Sequence, residues 1–252
     1  MINIIKQEIT IEESLEYFDS NKHIDYVEIL HDYPNREING NKELIDIINS
    51  YDLKYTIHSP FIDLNIASLN PALADLSVSE IKRSIDLATM IDSEIVVVHP
   101  GTIGYNGRGK EDLIYTISET KLKEIGDYAN DNDVNACIEN LPNIVDFMFM
   151  DVNQLDETLE RLSLPMTLDI GHAYTAGFSA EEIYFDRIKH IHVHDNLADD
   201  DTHMTLGEGS FDFNEFFSIF TQNKYDGIYM LELKSIDSIE KSIDYIKKLG
   251  YL

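Results

Sequence analysis

Short apolar runs that end in a metal-ligating residue recur along this chain, and they limit its possible folds more than any other feature. The runs YTIH, VVVH, ACIE, MTLD, HIH and YMLE close on His58, His99, Glu139, Asp169, His192 and Glu232. His172, Asp201 and His203 follow in the turns just after two of those runs. Side chains from many strand ends converge where strands run parallel and the sheet closes into a barrel. An open sheet gathers ligands from only two or three strand ends at one crevice.

The spacing predicts strands near 2–5, 25–30, 54–58, 94–99, 134–139, 165–169, 188–193 and 227–232. Each is rich in Ile, Val, Leu or Tyr and short enough to be buried on both faces. Amphipathic stretches lie between them. In SVSEIKRSIDLATMI, Val78, Ile81, Ile85 and Leu87–Ala88 share one helical face. Leu113, Ile117, Leu122 and Ile125 mark another helix, and FNEFFSIF, opened by Asp212, a third. IEKSIDYIKKLG closes the chain with lysines near the C-terminal end, as the macrodipole favours. Strands each followed by helix-like sequence give an α/β fold. Neither a G-x-G-x-x-G nor a Walker-type loop supports an open nucleotide-binding sheet. The expected fold is a (β/α)8 TIM barrel, one domain over residues 1–252.

The first residues turn acidic too early for a signal peptide, and no apolar run approaches membrane-spanning length. A cytoplasmic protein without membrane contact is expected. Cys137 is the only cysteine, which excludes an intramolecular disulfide and a multi-cysteine zinc site. It shares a strand face with Glu139 and reads as a small buried hydrophobe. The net charge is −28, from 47 acidic and 19 basic residues. A field of that sign repels a polyanion and argues against nucleic acid as partner.

A lone His at a strand end is more often structural than ligating, and a lone Asp or Glu there is usually a helix cap. The set reads differently. Carboxylates at the ends of buried strands, ringed by histidines, need a cation or hydrogen-bonding partners.

With these motifs the sequence resembles the xylose-isomerase-like TIM barrels, and within them the endonuclease IV branch (AP endonuclease family 2). The motifs are IHSPF, VVHPG, IENLP, LDIGHAYTAG, HIHVHDN, DTHMTLGEG and LEL, spread from about Asp25 to Lys234. HPG, D-x-x-H-A-x-x-A-G and D-x-H-x-x-L-G-E-G are specific when found together in this order. The resemblance implies up to three Zn²⁺ ions, with Mn²⁺ as the other candidate. It assigns one to His58, His99 and a bridging Glu139, and a second to Glu139, Asp169, His192 and Glu232. The third falls to His172, Asp201 and His203. The implied activity is a metal-dependent hydrolase that cleaves a phosphodiester with a metal-activated hydroxide. The alternative is a single-metal sugar or sugar-phosphate isomerase or epimerase, in which Glu139 and Glu232 act as acid and base. A barrel that binds a sugar or cyclitol without catalysis is a third reading.

Arg36, Phe61, Arg108, Lys110 and Lys234 are the candidate substrate-binding residues. Phe61 and Ile62 could form an apolar wedge between bases, or could only cap the barrel. DNLADDD, between His192 and Asp201, is a poor neighbour for a phosphate backbone. A small phosphorylated or sugar substrate is therefore favoured over DNA, and the oligomeric state stays open. His194 is taken as orienting a ligand or substrate and His190 as a deeper structural residue, with His23 and His31 on surface or loop. Gly207 and Gly209 are expected to shape a turn. Glu208 between them is either a helix N-terminal charge or an acceptor for a ligand.

Overall fold

A computed structural model of the chain describes residues 11–32 and 35–252. These fall into two compact units that divide between Ile138 and Glu139. The strand expected near 2–5 lies outside the described residues.

In the first unit, β1 (Tyr26–Leu30), β2 (Lys54–His58), β3 (Ile95–Val98) and β4 (Asn135–Glu139, whose last residue opens the second unit) run parallel in chain order. Leu30 pairs with His58, His58 with Val97, and Val98 with Ile138. Their residues are almost all buried, as parallel strands covered on both faces require. Glu28 is the polar exception inside β1, and the Thr56 hydroxyl donates to its Oε2 at 2.9 Å.

Helix α1 (Ile11–Asp19) precedes β1, and α2 (Lys42–Ile48), α3 (Pro71–Met90) and α4 (Glu111–Asn130) follow the first three strands. Asn70 caps α3 by accepting from Ala72 N, with Pro71 beginning the helix where its missing N–H costs nothing. Its buried face carries Val78, Ile81, Ile85, Leu87 and Ala88, the face the sequence predicts. Helix α4 is phased one residue later than expected. Leu113 is 49% exposed, and Ile114, Ser118, Leu122, Ile125 and Ala129 form the buried stripe. That stripe keeps steps of three and four throughout, which a start at Leu113 does not.

In the second unit β5 (Met166–Asp169), β6 (Ile188–Val193) and β7 (Ile228–Leu231) are again parallel in chain order. Asp169 lies opposite His192, and Val193 opposite Leu231. The helices are α5 (Val152–Leu162), α6 (Ile170–Thr175), α7 (Phe213–Gln222) and α8 (Ile236–Leu249). Asp212 caps α7, which buries Phe213, Phe216, Phe217 and Phe220. Ser235 caps α8, Lys247 and Lys248 occupy its last turn, and Gly250 ends it at φ 87°. No described helix is long and apolar enough to cross a membrane. Within each unit, parallel order leaves the polar strand ends on one edge of the sheet, and the candidate ligands sit there.

Candidate metal centre

Glu139 ends β4, Asp169 ends β5, His192 lies in β6 and Glu232 follows β7. One ligand atom from each lies within 4.8 Å of every other. His192 Nδ1 is 2.9 Å from Glu139 Oε1 and 3.0 Å from Glu232 Oε2. Three carboxylates thus surround one imidazole in a buried space, where their mutual repulsion is scarcely screened. Burial alone would push the Glu232 carboxyl up. The positive fields of His192 and His203 outweigh it and hold the group far below the usual carboxylate range. Asp169 Oδ2 is buried and accepts no hydrogen bond from the described residues. A single imidazole can offset at most one of the three carboxylate charges, so the set fits a divalent cation.

A second set grows from the same strand end. Asp169 caps α6, its Oδ1 accepting from His172 N at 2.7 Å, which fixes His172 in the first turn. His172 Nδ1 donates to Asn140 O at 2.9 Å, and its Nε2 stands 3.4 Å from Asp201 Oδ2. His203 Nδ1 donates to Glu232 O at 3.0 Å, and its Nε2 stands 3.1 Å from Asp201 Oδ2. His58 Nδ1 likewise faces its neighbour's carbonyl, Ser59 O, at 2.9 Å. An imidazole that gives its Nδ1 proton to a backbone carbonyl presents Nε2 as a ligand, the usual arrangement around a metal. Burial lowers the affinity of His172 for a proton, but Asp169, Asp201 and Glu139 outweigh that and raise its pKa to about 10. His203 is raised to about 9 against its own burial, chiefly by Asp201 and Glu232. A cation bound here replaces those protons.

His194 belongs to this second set as well. His172, His194, Asp201 and His203 offer ligand atoms that all lie within 4.8 Å of one another. The His194 ring stacks on His203, with centroids 4.0 Å apart and planes 13° apart. Its Nε2 is 3.1 Å from Asp169 Oδ1.

In the first unit the His58 and His99 rings meet edge to face at 5.0 Å. Phe61, 38% exposed, stacks on His99 at 4.5 Å, so it covers a candidate ligand. The predicted cations are mostly engaged elsewhere. Arg36 forms an ion pair with Glu80 of α3. Arg108 lies over the exposed ring of Tyr105 at 5.5 Å, and Lys110 Nζ donates to Asn106 O within the same loop after β3. Lys234 Nζ donates to Thr202 O at 2.6 Å, between the ligand candidates Asp201 and His203.

His31, expected on surface or loop, is fully buried, with Nδ1 2.8 Å from Ser84 Oγ. It directly follows the apolar run of β1, the same signal that places His58 and His99. His190 is buried as expected and His23 is exposed.

The sequence reading passed over Asn140, Gly171, Asp195 and Asn196. Asn140 exchanges hydrogen bonds with the backbone of Asp169, donating to O at 2.9 Å and accepting from N at 2.8 Å. Asn196 Nδ2 donates to Gly171 O at 2.9 Å. The Asp195 carboxylate accepts from the backbone N–H groups of Asn196, Gly207, Gly209 and Phe211. These residues fix the backbone around the candidate ligands, and their signal was adjacency: Asn140 follows Glu139, and Asp195–Asn196 follow His194.

Residues 20–249 match the xylose isomerase-like TIM barrel family. The chain belongs to that family. Its fold is therefore the TIM barrel that the strand pattern predicts. An uncharacterized protein of Methanocaldococcus jannaschii is 34% identical over 82% of this chain and 73% of its own length. A probable endonuclease 4 of Staphylococcus carnosus is 29% identical over 68% of this chain and 63% of its own. A solved structure titled a D-tagatose 3-epimerase-like protein superposes with a TM-score of 0.88. It is 32% identical, covering 96% of this chain and 93% of that one. The proteins that this chain resembles are therefore named for two different reactions.

Proposed function

We propose that this member of the family is a divalent-metal-dependent phosphoesterase that hydrolyses a small phosphodiester by endonuclease IV-like chemistry. The observation that carries this reading is the second ligand set, His172, Asp201 and His203 with His194, beside the first. A single-metal isomerase needs only Glu139, Asp169, His192 and Glu232. All-nitrogen-and-oxygen donors suit Zn²⁺ or Mn²⁺. Bound there, such ions would polarise a phosphoryl oxygen and lower the pKa of water toward neutrality.

The chain's own groups do the rest. Glu139 and Glu232 hold His192 from two sides, at 2.9 Å and 3.0 Å. Lys234 and Phe61 flank ligand candidates, as a cation for substrate oxygens and an apolar cover that excludes water. His58 and His99 offer a further donor pair.

Protein purified without chelator should carry about three metal equivalents per chain, and should hydrolyse a small aryl phosphodiester. A single equivalent, unchanged by added Zn²⁺, would overturn the proposal.

A second reading rests on a specific observation. Glu139 and Glu232 both face His192 across one compact set, and the relative at TM-score 0.88 is titled epimerase-like. There the two glutamates would act as acid and base on opposite faces of a ketose. His203→Ala separates the readings, since it should abolish phosphodiester hydrolysis and leave an epimerisation intact.

A further inference from the structure

We propose that His194 is a fourth protein donor to the ion held by His172, Asp201 and His203, giving that ion a closed ligand sphere. This rests on the multinuclear reading and goes beyond it, because that reading needs only three donors at this position.

Three imidazole Nε2 atoms surround one carboxylate. His172 Nε2 is 3.4 Å from Asp201 Oδ2, His203 Nε2 is 3.1 Å from Oδ2, and His194 Nε2 is 3.5 Å from Oδ1. Metal–ligand bonds of about 2.0–2.1 Å at tetrahedral angles put neighbouring donor atoms roughly 3.4 Å apart. The three nitrogen–carboxylate distances lie close to that edge length, and all four residues offer ligand atoms within 4.8 Å of one another. His194 Nδ1 is buried and makes no hydrogen bond among the described residues, so it is open to take the ring's proton when a cation replaces that proton at Nε2. With the proton on Nε2 the ring donates to Asp169. With it on Nδ1, Nε2 is free to ligate.

The chain also makes room for the ring. A Cβ on Gly171 would come within 2.0 Å of His194 Cε1, so only glycine lets the imidazole lie against α6. A merely filling side chain would not require that close approach together with a polar neighbour on each side.

Four protein donors make a structural kind of site, whereas catalytic zinc keeps a position open. The ion here would anchor the Asp201–His203 segment and bind most tightly. The position open to substrate would then not lie on this ion.

Stepwise loading of apo-protein with Co²⁺ tests this without any turnover. Visible absorption distinguishes four-coordinate from six-coordinate Co²⁺ by band intensity. Wild type should show its tightest equivalent as an intense four-coordinate band. His194→Gln keeps an N–H donor where Nε2 stands, so it preserves a bond to Asp169 but not ligation. It should lose that band and weaken the equivalent by more than the roughly 10–100-fold that loss of an outer partner costs. A weak six-coordinate band in wild type, or an unchanged band and affinity in His194→Gln, would overturn the assignment of His194 while about three ions still bind. Failure of the multinuclear reading would look different, with a single Co²⁺ equivalent bound in wild type.

Discussion

Gly171 is the residue that makes room for His194 in the second ligand set, although it carries no chemistry. It lies between Asp169 and His172, where a Cβ would collide with the His194 ring. Gly171→Ala should force that ring aside, costing about 1–3 kcal/mol of stability as overpacking does. The second set should lose its cation with it. Chemical denaturation and metal analysis of the purified variant check both. His31 gives a prediction of a different kind. Burial, and then the charges of Arg36 and Arg83, lower its pKa from 6.5 to about 4. The unfolded chain therefore takes up the proton first. Stability from neutral His31 is fully present above about pH 6.5 and is lost as pH falls toward 4, by roughly 3 kcal/mol in all. His172 and His203, with raised values, contribute in the opposite direction, so the comparison must be differential. His31→Asn keeps a donor toward Ser84 and should flatten the difference between denaturation midpoints at neutral and mildly acid pH. An unchanged difference would mean that His31 does not titrate in this window.

Among the elements, strands and the longer helices were legible because apolar spacing reports burial directly. YTIH, IVVVH, MTLD and HIH became β2, β3, β5 and β6, with the candidate ligands at or next to their C-terminal ends. Short α6 was harder to read. It begins on the last residue of a strand, and its buried Ile170, Gly171, His172 and Ala173 show no apolar period. The phase of α4 was misread because Leu113, though apolar, falls outside the stripe set by Ile114. The turn around LGEG was only partly legible. Its glycines were taken correctly as turn formers, with Gly207 at φ 84°. Its organiser, Asp195, lies a dozen residues upstream and passed for another loop carboxylate. Asp195→Ala would leave the buried Phe211 amide without its partner, at about 1–3 kcal/mol, and would release the part-buried amides of Gly207 and Gly209 to solvent. Those amides should exchange hydrogen much faster than in wild type. Asp201 and His203, between β6 and this turn, should lose affinity for metal. Slow exchange in the variant would show that the turn holds without its carboxylate.

At the scale of the whole molecule, the metal chemistry and the surface charge point to different substrates. On the proposed reading the two sets serve phosphodiester hydrolysis, but the chain carries 47 acidic against 19 basic residues. The cations that could grip a phosphate backbone are few, and Arg36 is committed to Glu80. A protein that binds DNA by neutralising phosphates loses affinity steeply as salt rises, because counterions are released on binding. Here the long-range field is repulsive, and salt shortens its reach to about 10 Å at 0.1 M. The sign of the salt dependence should therefore invert. Raising salt from about 50 to 200 mM should leave cleavage of an abasic-site duplex unchanged or improve it. Hydrolysis of a small phosphodiester should respond far less, with a kcat/KM well above that for the duplex. Both follow from one field acting on substrates of different charge, so they stand or fall together. A steep loss of duplex cleavage with salt would show a basic groove that overrides the net charge, and would make DNA the substrate.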